Sequence, residues 1–140
     1  MDIRPLTDRY AVSPMIEPSD LEQIRGAGYT TLLCNRPDAE VPPGLQATAM
    51  REAAEALGFA FVDNPVTHTG LTPDILRLQA ETIASAPGPV LAYCASGTRS
   101  TIVWALGQAG RRPADEIIGI AAKAGYDLSG MAPQLSAALI

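Results

Sequence analysis

Four residues suited to chemistry on oxyanions fall in one short stretch, Cys94-Ala95-Ser96-Gly97-Thr98-Arg99-Ser100. A cysteine between a strand and a helix becomes a nucleophile when main-chain N–H groups and the positive end of the helix dipole converge on its sulfur. The thiolate gains those donors and the neutral thiol does not. Arg99 adds a planar guanidinium whose fork matches two oxygens of a phosphate, sulfate or thiosulfonate group. Gly97 can adopt the positive φ that such a turn needs, and it leaves the backbone open to an approaching anion. Ser100 is placed to donate a hydrogen bond to the Cys94 sulfur or to a leaving group. Cys94, Arg99 and Ser100 are therefore the expected catalytic set, with Ala95, Ser96, Gly97 and Thr98 lining the substrate's cradle. The Ser96 and Thr98 hydroxyls are also suited to satisfying the turn's own backbone.

The flanking residues supply the elements that this turn requires. Val90 to Tyr93 is a short apolar run after Gly88-Pro89, which suits a buried strand, and Ser100 to Ala109 has helical spacing. Upstream, Arg9 to Ser13 predicts a short strand. Ser19-Asp20-Leu21-Glu22 has the pattern of a capping box opening a helix that stops at Gly26 and Gly28. Tyr29 to Cys34 is apolar enough to be buried on both faces, the habit of parallel strands. Gln46 to Leu57 predicts a helix packed through Ala49, Ala53, Ala54 and Leu57, followed by a strand at Phe59 to Val62. A helix capped by Thr72 and begun by Pro73 runs to Ser85, and two more span Pro113 to Ala124 and Pro133 to Leu139. Strands alternating with helices predict an α/β fold in three layers, with a mostly parallel sheet of four or five strands flanked by helices.

Ligands of such sheets bind at the carboxyl ends of the strands, so the loops after Cys34 and after Val62 are expected to face the Cys94 pocket. In the first, Arg36 either adds a second cation beside Arg99 or pairs with Glu40. Cys34 reads either as a small buried side chain or as a resolving thiol that attacks an oxidised or persulfidated Cys94. In the second, Asp63 and His68 are candidate proton donors, His68 having a suitable ordinary pKa.

Tyr93 to Ser100 resembles the Cys-x-x-Gly-x-Arg-Ser signature of the DUF442 family, the phosphatase-like domain also found in beta-lactamase hydrolase-like proteins. Asn35-Arg36-Pro37-Asp38-Ala39-Glu40 is similar to that family's Asn-x-Arg-Pro-x-x-Glu segment, and Gly58-Phe59, Pro65-Val66-Thr67 and Gly125-Tyr126-Asp127-Leu128 resemble later segments. The resemblance spans nearly the whole chain. It implies a fold like the dual-specificity and tyrosine phosphatases, with Cys94 as nucleophile and Arg99 as oxyanion ligand. Phosphatases of those folds place five residues between Cys and Arg and carry an acidic Asp on an earlier loop. Here four residues intervene, the rhodanese count, and Thr67-His68 stands where the Asp is expected. The shorter loop favours sulfur transfer through a Cys94 persulfide. Phosphomonoester hydrolysis through a phosphocysteine is the alternative, and a non-catalytic oxyanion- or persulfide-sensing module is the third reading.

The whole chain sets outer bounds. Its 140 residues, 47% hydrophobic and 18% charged, suit a single domain over 1–140 with its own core. A net charge of −5 with one lysine argues against nucleic-acid binding, so an anionic or sulfur-bearing substrate must be attracted locally, with a protein or small thiol as the acceptor if sulfur is transferred. Two cysteines and one histidine cannot build a disulfide framework or a multi-histidine metal site, and no metal or cofactor is expected. The absence of a signal-like or membrane-spanning segment predicts a cytoplasmic protein with no membrane partner.

Overall fold

A strand that is apolar at every position has to lie inside a sheet covered on both faces. In the computed structural model of the chain, which describes residues 1–67 and 70–137, Val90–Tyr93 does so. The strands are β1 (Arg4–Thr7), β2 (Tyr10–Ser13), β3 (Thr31–Cys34), β4 (Ala60–Asp63) and β5 (Val90–Tyr93). They form one sheet in the order β1-β2-β5-β3-β4, parallel except for β1. The helices are α1 (Leu21–Gly26), α2 (Ala47–Ala56), α3 (Pro73–Ser85), α4 (Thr98–Gln108), α5 (Ala114–Lys123) and α6 (Ala132–Ala137).

Strand alternation divides the interior in two. Val90 and Ala92 join Tyr10, Val12 and Leu33 in a core closed by Trp104, Ala105, Ile117, Ala121 and Leu135. Leu91 and Tyr93 face the other way, with Ala11, Leu32 and Cys34, toward Leu21, Ile24, Met50 and Ala54. Helices α1 and α2 thus cover one face and α3 to α6 the other. The chain leaves the adjacent strands β3 and β5 toward opposite faces, and their carboxyl ends open a crevice where the Cys94 loop sits.

Several local expectations need correction. Strand β1 was not readable in advance, because Arg4-Pro5-Leu6-Thr7 buries Leu6 alone and includes a proline, which an edge strand tolerates. At the entry to α1 the capping carboxylate is Asp20, which accepts from the Glu17 N–H at 2.9 Å, in place of the expected Ser19 and Glu22 pairing. Helix α2 packs through Ala47, Met50 and Ala54, since Met50 supplies the volume that a face of alanines lacks. Helix α4 begins at Thr98, so Arg99 and Ser100 lie in its first turn. At α3, Thr72 accepts from the Ile75 N–H at 3.3 Å, as the Thr-Pro start predicts. No helix among the described residues is long and apolar enough to cross a membrane.

One buried polar cluster ties the layers together under the crevice. Gln79 of α3 donates to the Tyr10 hydroxyl (2.8 Å) and to Asn35 Oδ1 (3.2 Å), while its own oxygen accepts from Asn35 (3.0 Å) and Asn64 (2.9 Å). The Tyr10 hydroxyl donates to the Ser100 carbonyl at 2.8 Å. Burial pushes the Tyr10 phenol's ionisation upward, so it keeps the proton it donates. Replacing Gln79 with leucine removes four of these bonds in a site closed to water. Urea unfolding of Gln79→Leu is expected to show a loss of about 3 kcal/mol, and a loss below about 1 kcal/mol would show that the cluster holds little.

Candidate active site

Beyond Tyr93 the chain turns sharply into α4. Gly97, at φ 95°, stands just ahead of the first helical residue. Its N–H donates to the Cys94 sulfur at 3.1 Å. A Cβ at this position would be strained by φ and would also run into the Tyr126 phenol, so the turn requires glycine on two counts. The Gly97 carbonyl accepts from the Thr101 hydroxyl (2.8 Å) and N–H (3.0 Å), which anchors the loop to the helix. The Ser96 hydroxyl donates to Thr98 Oγ1 at 3.0 Å and accepts from the Thr98 N–H at 3.4 Å, so both side chains satisfy the turn itself. Ala95 is exposed, and its carbonyl accepts from the Met15 N–H at 3.2 Å.

Cys94 has no exposed surface. Its surroundings are nonetheless polar: besides the Gly97 amide, the Arg99 guanidinium and the Tyr126 phenol lie within electrostatic reach of the sulfur.

Arg99 is held by three bonds to two partners. Its Nη1 donates to Glu40 Oε2 (2.8 Å) and to the Val66 carbonyl (3.0 Å), and its Nη2 donates to Glu40 Oε1 (2.7 Å). Arg36 approaches the same carboxylate, with Nε 3.5 Å from Oε1, and donates from Nη2 to the Glu40 carbonyl at 3.2 Å. Both readings of Arg36 therefore meet in one cluster: it pairs with Glu40, and through Glu40 it stands beside Arg99. Glu40 links two segments 59 residues apart, a role that its local pattern could not show. The Arg99 hydrogen bonds hold the Glu40 carboxyl below the usual carboxylate range, and the same bonds raise Arg99 further.

Ser100 departs from expectation. Its hydroxyl donates to Asn35 Oδ1 at 2.8 Å rather than to the sulfur, because the first turn of α4 directs it into the buried amide cluster. Cys34 is buried and free, its thiol donating to the Arg36 carbonyl at 3.3 Å. Burial raises its ionisation above the ordinary thiol range. The Tyr93 hydroxyl, with no nitrogen or oxygen partner among the described residues, lies against that thiol. Asp63 ends β4, level with Cys34, on the strand face that Phe61 shares with α2. Burial, then the nearby charge of Asp38, raises its carboxyl, and Arg51 offsets part of this. The structure thus gathers Arg36, Arg99 and the 94–100 loop and leaves Asp63 on the α2 side. His68 lies outside the described residues. Tyr126, from the turn after α5, is a site neighbour that reading the sequence did not single out.

This geometry can be set beside known proteins. The profile of the family described as "Beta-lactamase hydrolase-like protein, phosphatase-like domain" matches residues 2–111. The chain belongs to this family, DUF442. A beta-lactamase hydrolase-like protein of Xylella fastidiosa (strain Temecula1) is 31% identical over 130 residues, which is 91% of this chain and 30% of that protein. One from Agrobacterium fabrum is 32% identical over 120 residues, 84% of this chain and 27% of that one. The DUF442 chain here therefore spans less than a third of the length of these relatives. A crystal structure from Neisseria meningitidis Z2491, designated there a candidate phosphatase, superposes with a TM-score of 0.84 at 34% identity over 99% of both chains. The core catalytic domain of a yeast PP-IP phosphatase shares the fold alone, with a TM-score of 0.68 at 10% identity over 100% of this chain and 85% of that one. These relatives lend no support to the expected sulfur transfer, and the phosphatase-like alternative fits them better.

The lowered Glu40 carboxyl has a pH consequence. The ion pair with Arg99 is present above the ordinary glutamate range and is lost as pH falls through the depressed value. Following the Arg99 Nε–H signal by NMR from neutral pH downward is expected to show no transition near ~4.3, where a free glutamate titrates, and one below it. A transition at or above that point would contradict the pairing.

Proposed function

We propose that this DUF442 domain hydrolyses phosphomonoesters through a phosphocysteine intermediate at Cys94. The observation that carries the reading is the Gly97 N–H seated on the Cys94 sulfur at the mouth of α4, beside a guanidinium already fixed in place. The Cys94 thiolate attacks phosphorus, the bond to the ester oxygen breaks, and the leaving oxygen departs with the electron pair. Main-chain N–H groups of the 94–99 loop and the free donors of Arg99 hold the non-bridging oxygens as charge spreads over them. Water then attacks the phosphocysteine, the S–P bond breaks, and inorganic phosphate leaves the thiolate restored.

Glu40 is a poor proton donor here, since two arginines keep it ionised. An aryl phosphate, whose leaving group needs little protonation, is therefore the substrate class to test first. The surplus of one cation in the Arg36, Glu40 and Arg99 cluster supports an anionic substrate in an otherwise acidic chain. Sulfur transfer keeps one supporting observation, the four-residue spacing between Cys94 and Arg99.

Two parallel assays separate these readings. Aryl phosphate hydrolysis is expected to fall on the order of a thousandfold or more in Cys94→Ser. Thiocyanate formed from thiosulfate and cyanide, lost in the same variant and without phosphate release, would overturn the proposal in favour of sulfur transfer. Inactivity in both assays would favour a binding module.

A further inference from the structure

The Ser96–Gly97 peptide unit is held at both ends. Its carbonyl accepts from the Tyr126 hydroxyl at 3.0 Å, and its N–H donates to the Cys94 sulfur at 3.1 Å. A trans peptide is planar, with its C=O and N–H pointing in opposite directions. Holding the oxygen outward therefore holds the N–H inward. Turned over, the same unit would set a carbonyl oxygen against the sulfur, where it repels both a thiolate and an incoming oxyanion. Glycine at φ 95° imposes little steric barrier to that rotation. The orientation consequently depends on what grips the Ser96 oxygen.

We propose that Tyr126 is a positioning residue for the nucleophile, locking the Ser96–Gly97 peptide so that its N–H serves the Cys94 sulfur. The proposal rests on the reading of Cys94 as nucleophile and adds the group that makes its cradle donate. Tyr126 is itself well placed. Its ring lies under the Arg4 guanidinium, 5.1 Å from its centre, and Arg4 also donates to the Ala124 carbonyl at 3.2 Å. Asp2 holds Arg4 through bonds of 3.0 and 2.7 Å. Burial pushes the phenol's ionisation upward, so the proton it donates stays in place. Gly97 and Tyr126 also fit as a pair, since any larger residue at 97 would displace the phenol.

Tyr126→Phe keeps the ring under Arg4 and removes the donor alone. Alkylation of Cys94 by iodoacetamide, resolved from Cys34 by mass spectrometry, is to be followed against pH, together with aryl phosphate kinetics and melting temperature. A change in access rescales the alkylation rate at every pH, whereas loss of a donor to the anion moves the midpoint of the profile. The midpoint is expected to rise by about one pH unit, with kcat at neutral pH falling about tenfold and KM changing less. Arg4→Leu keeps the hydroxyl but frees the ring, and is expected to shift the midpoint in the same direction by less. A folded Tyr126→Phe protein with an unmoved midpoint and unchanged kcat overturns the proposal, as does a lowered melting temperature with no shift. If Tyr126→Phe does not fold, an unmoved midpoint in Arg4→Leu overturns it on the same terms. Wild-type protein that shows no Cys94-dependent hydrolysis would instead sink the nucleophile reading, whatever Tyr126 does.

Discussion

The site depends on a single asparagine whose every polar group is committed. Asn35 donates its main-chain N–H to the Tyr93 carbonyl at 2.9 Å, and its own carbonyl accepts from the Val66 N–H at 2.9 Å. Its side chain joins the Asn64 carbonyl, Gln79 and Ser100. Buried amides left without partners are costly, so the arrangement in which all are satisfied is sharply preferred over its neighbours. The loop after β3, the loop after β4 and the first turn of α4 are thereby held in one mutual geometry. Cys94 inherits its position from that agreement.

Above this apolar and amide floor lies a charged layer of different character. Arg99 makes its three bonds at an edge where Glu40 is part exposed, so water reaches this layer and not the floor. The contrast bears on the buried Cys94, whose loop is seated on the amide cluster while the Arg99 beside it is held by Glu40 and the Val66 carbonyl, both on loops. The net charge of the chain is negative, and the local excess of guanidinium at the crevice runs against it. The anionic substrate proposed above would thus be attracted by a few side chains rather than by the whole surface.

What the sequence revealed follows the range over which each signal acts. The Cys94 loop was legible because an apolar strand, a glycine and an arginine at fixed offsets are all local, and the sheet's layering followed from the alternation of strands and helices. Glu40 was visible as a neighbour of Arg36, but its bidentate grip on Arg99 joins two distant loops and leaves no periodic trace. Ser100 stands next to Arg99 in sequence, which suggests contact with the sulfur, whereas α4 begins early enough to carry the hydroxyl to Asn35. Tyr126 carries no local sign of its contact with the Cys94 loop, since only folding brings the turn after α5 to Ser96. Strand β1 escaped because an edge strand with one buried residue lacks the alternation that marks a half-buried one.

Arg4 meets Ala124 across 120 residues of chain. Fraying of the edge strand or of the turn near residue 125 therefore releases Tyr126 while leaving the sheet from β2 to β4 paired and Cys94 at the end of its strand. A partly unravelled molecule of that kind would be compact and yet carry a quiet thiol.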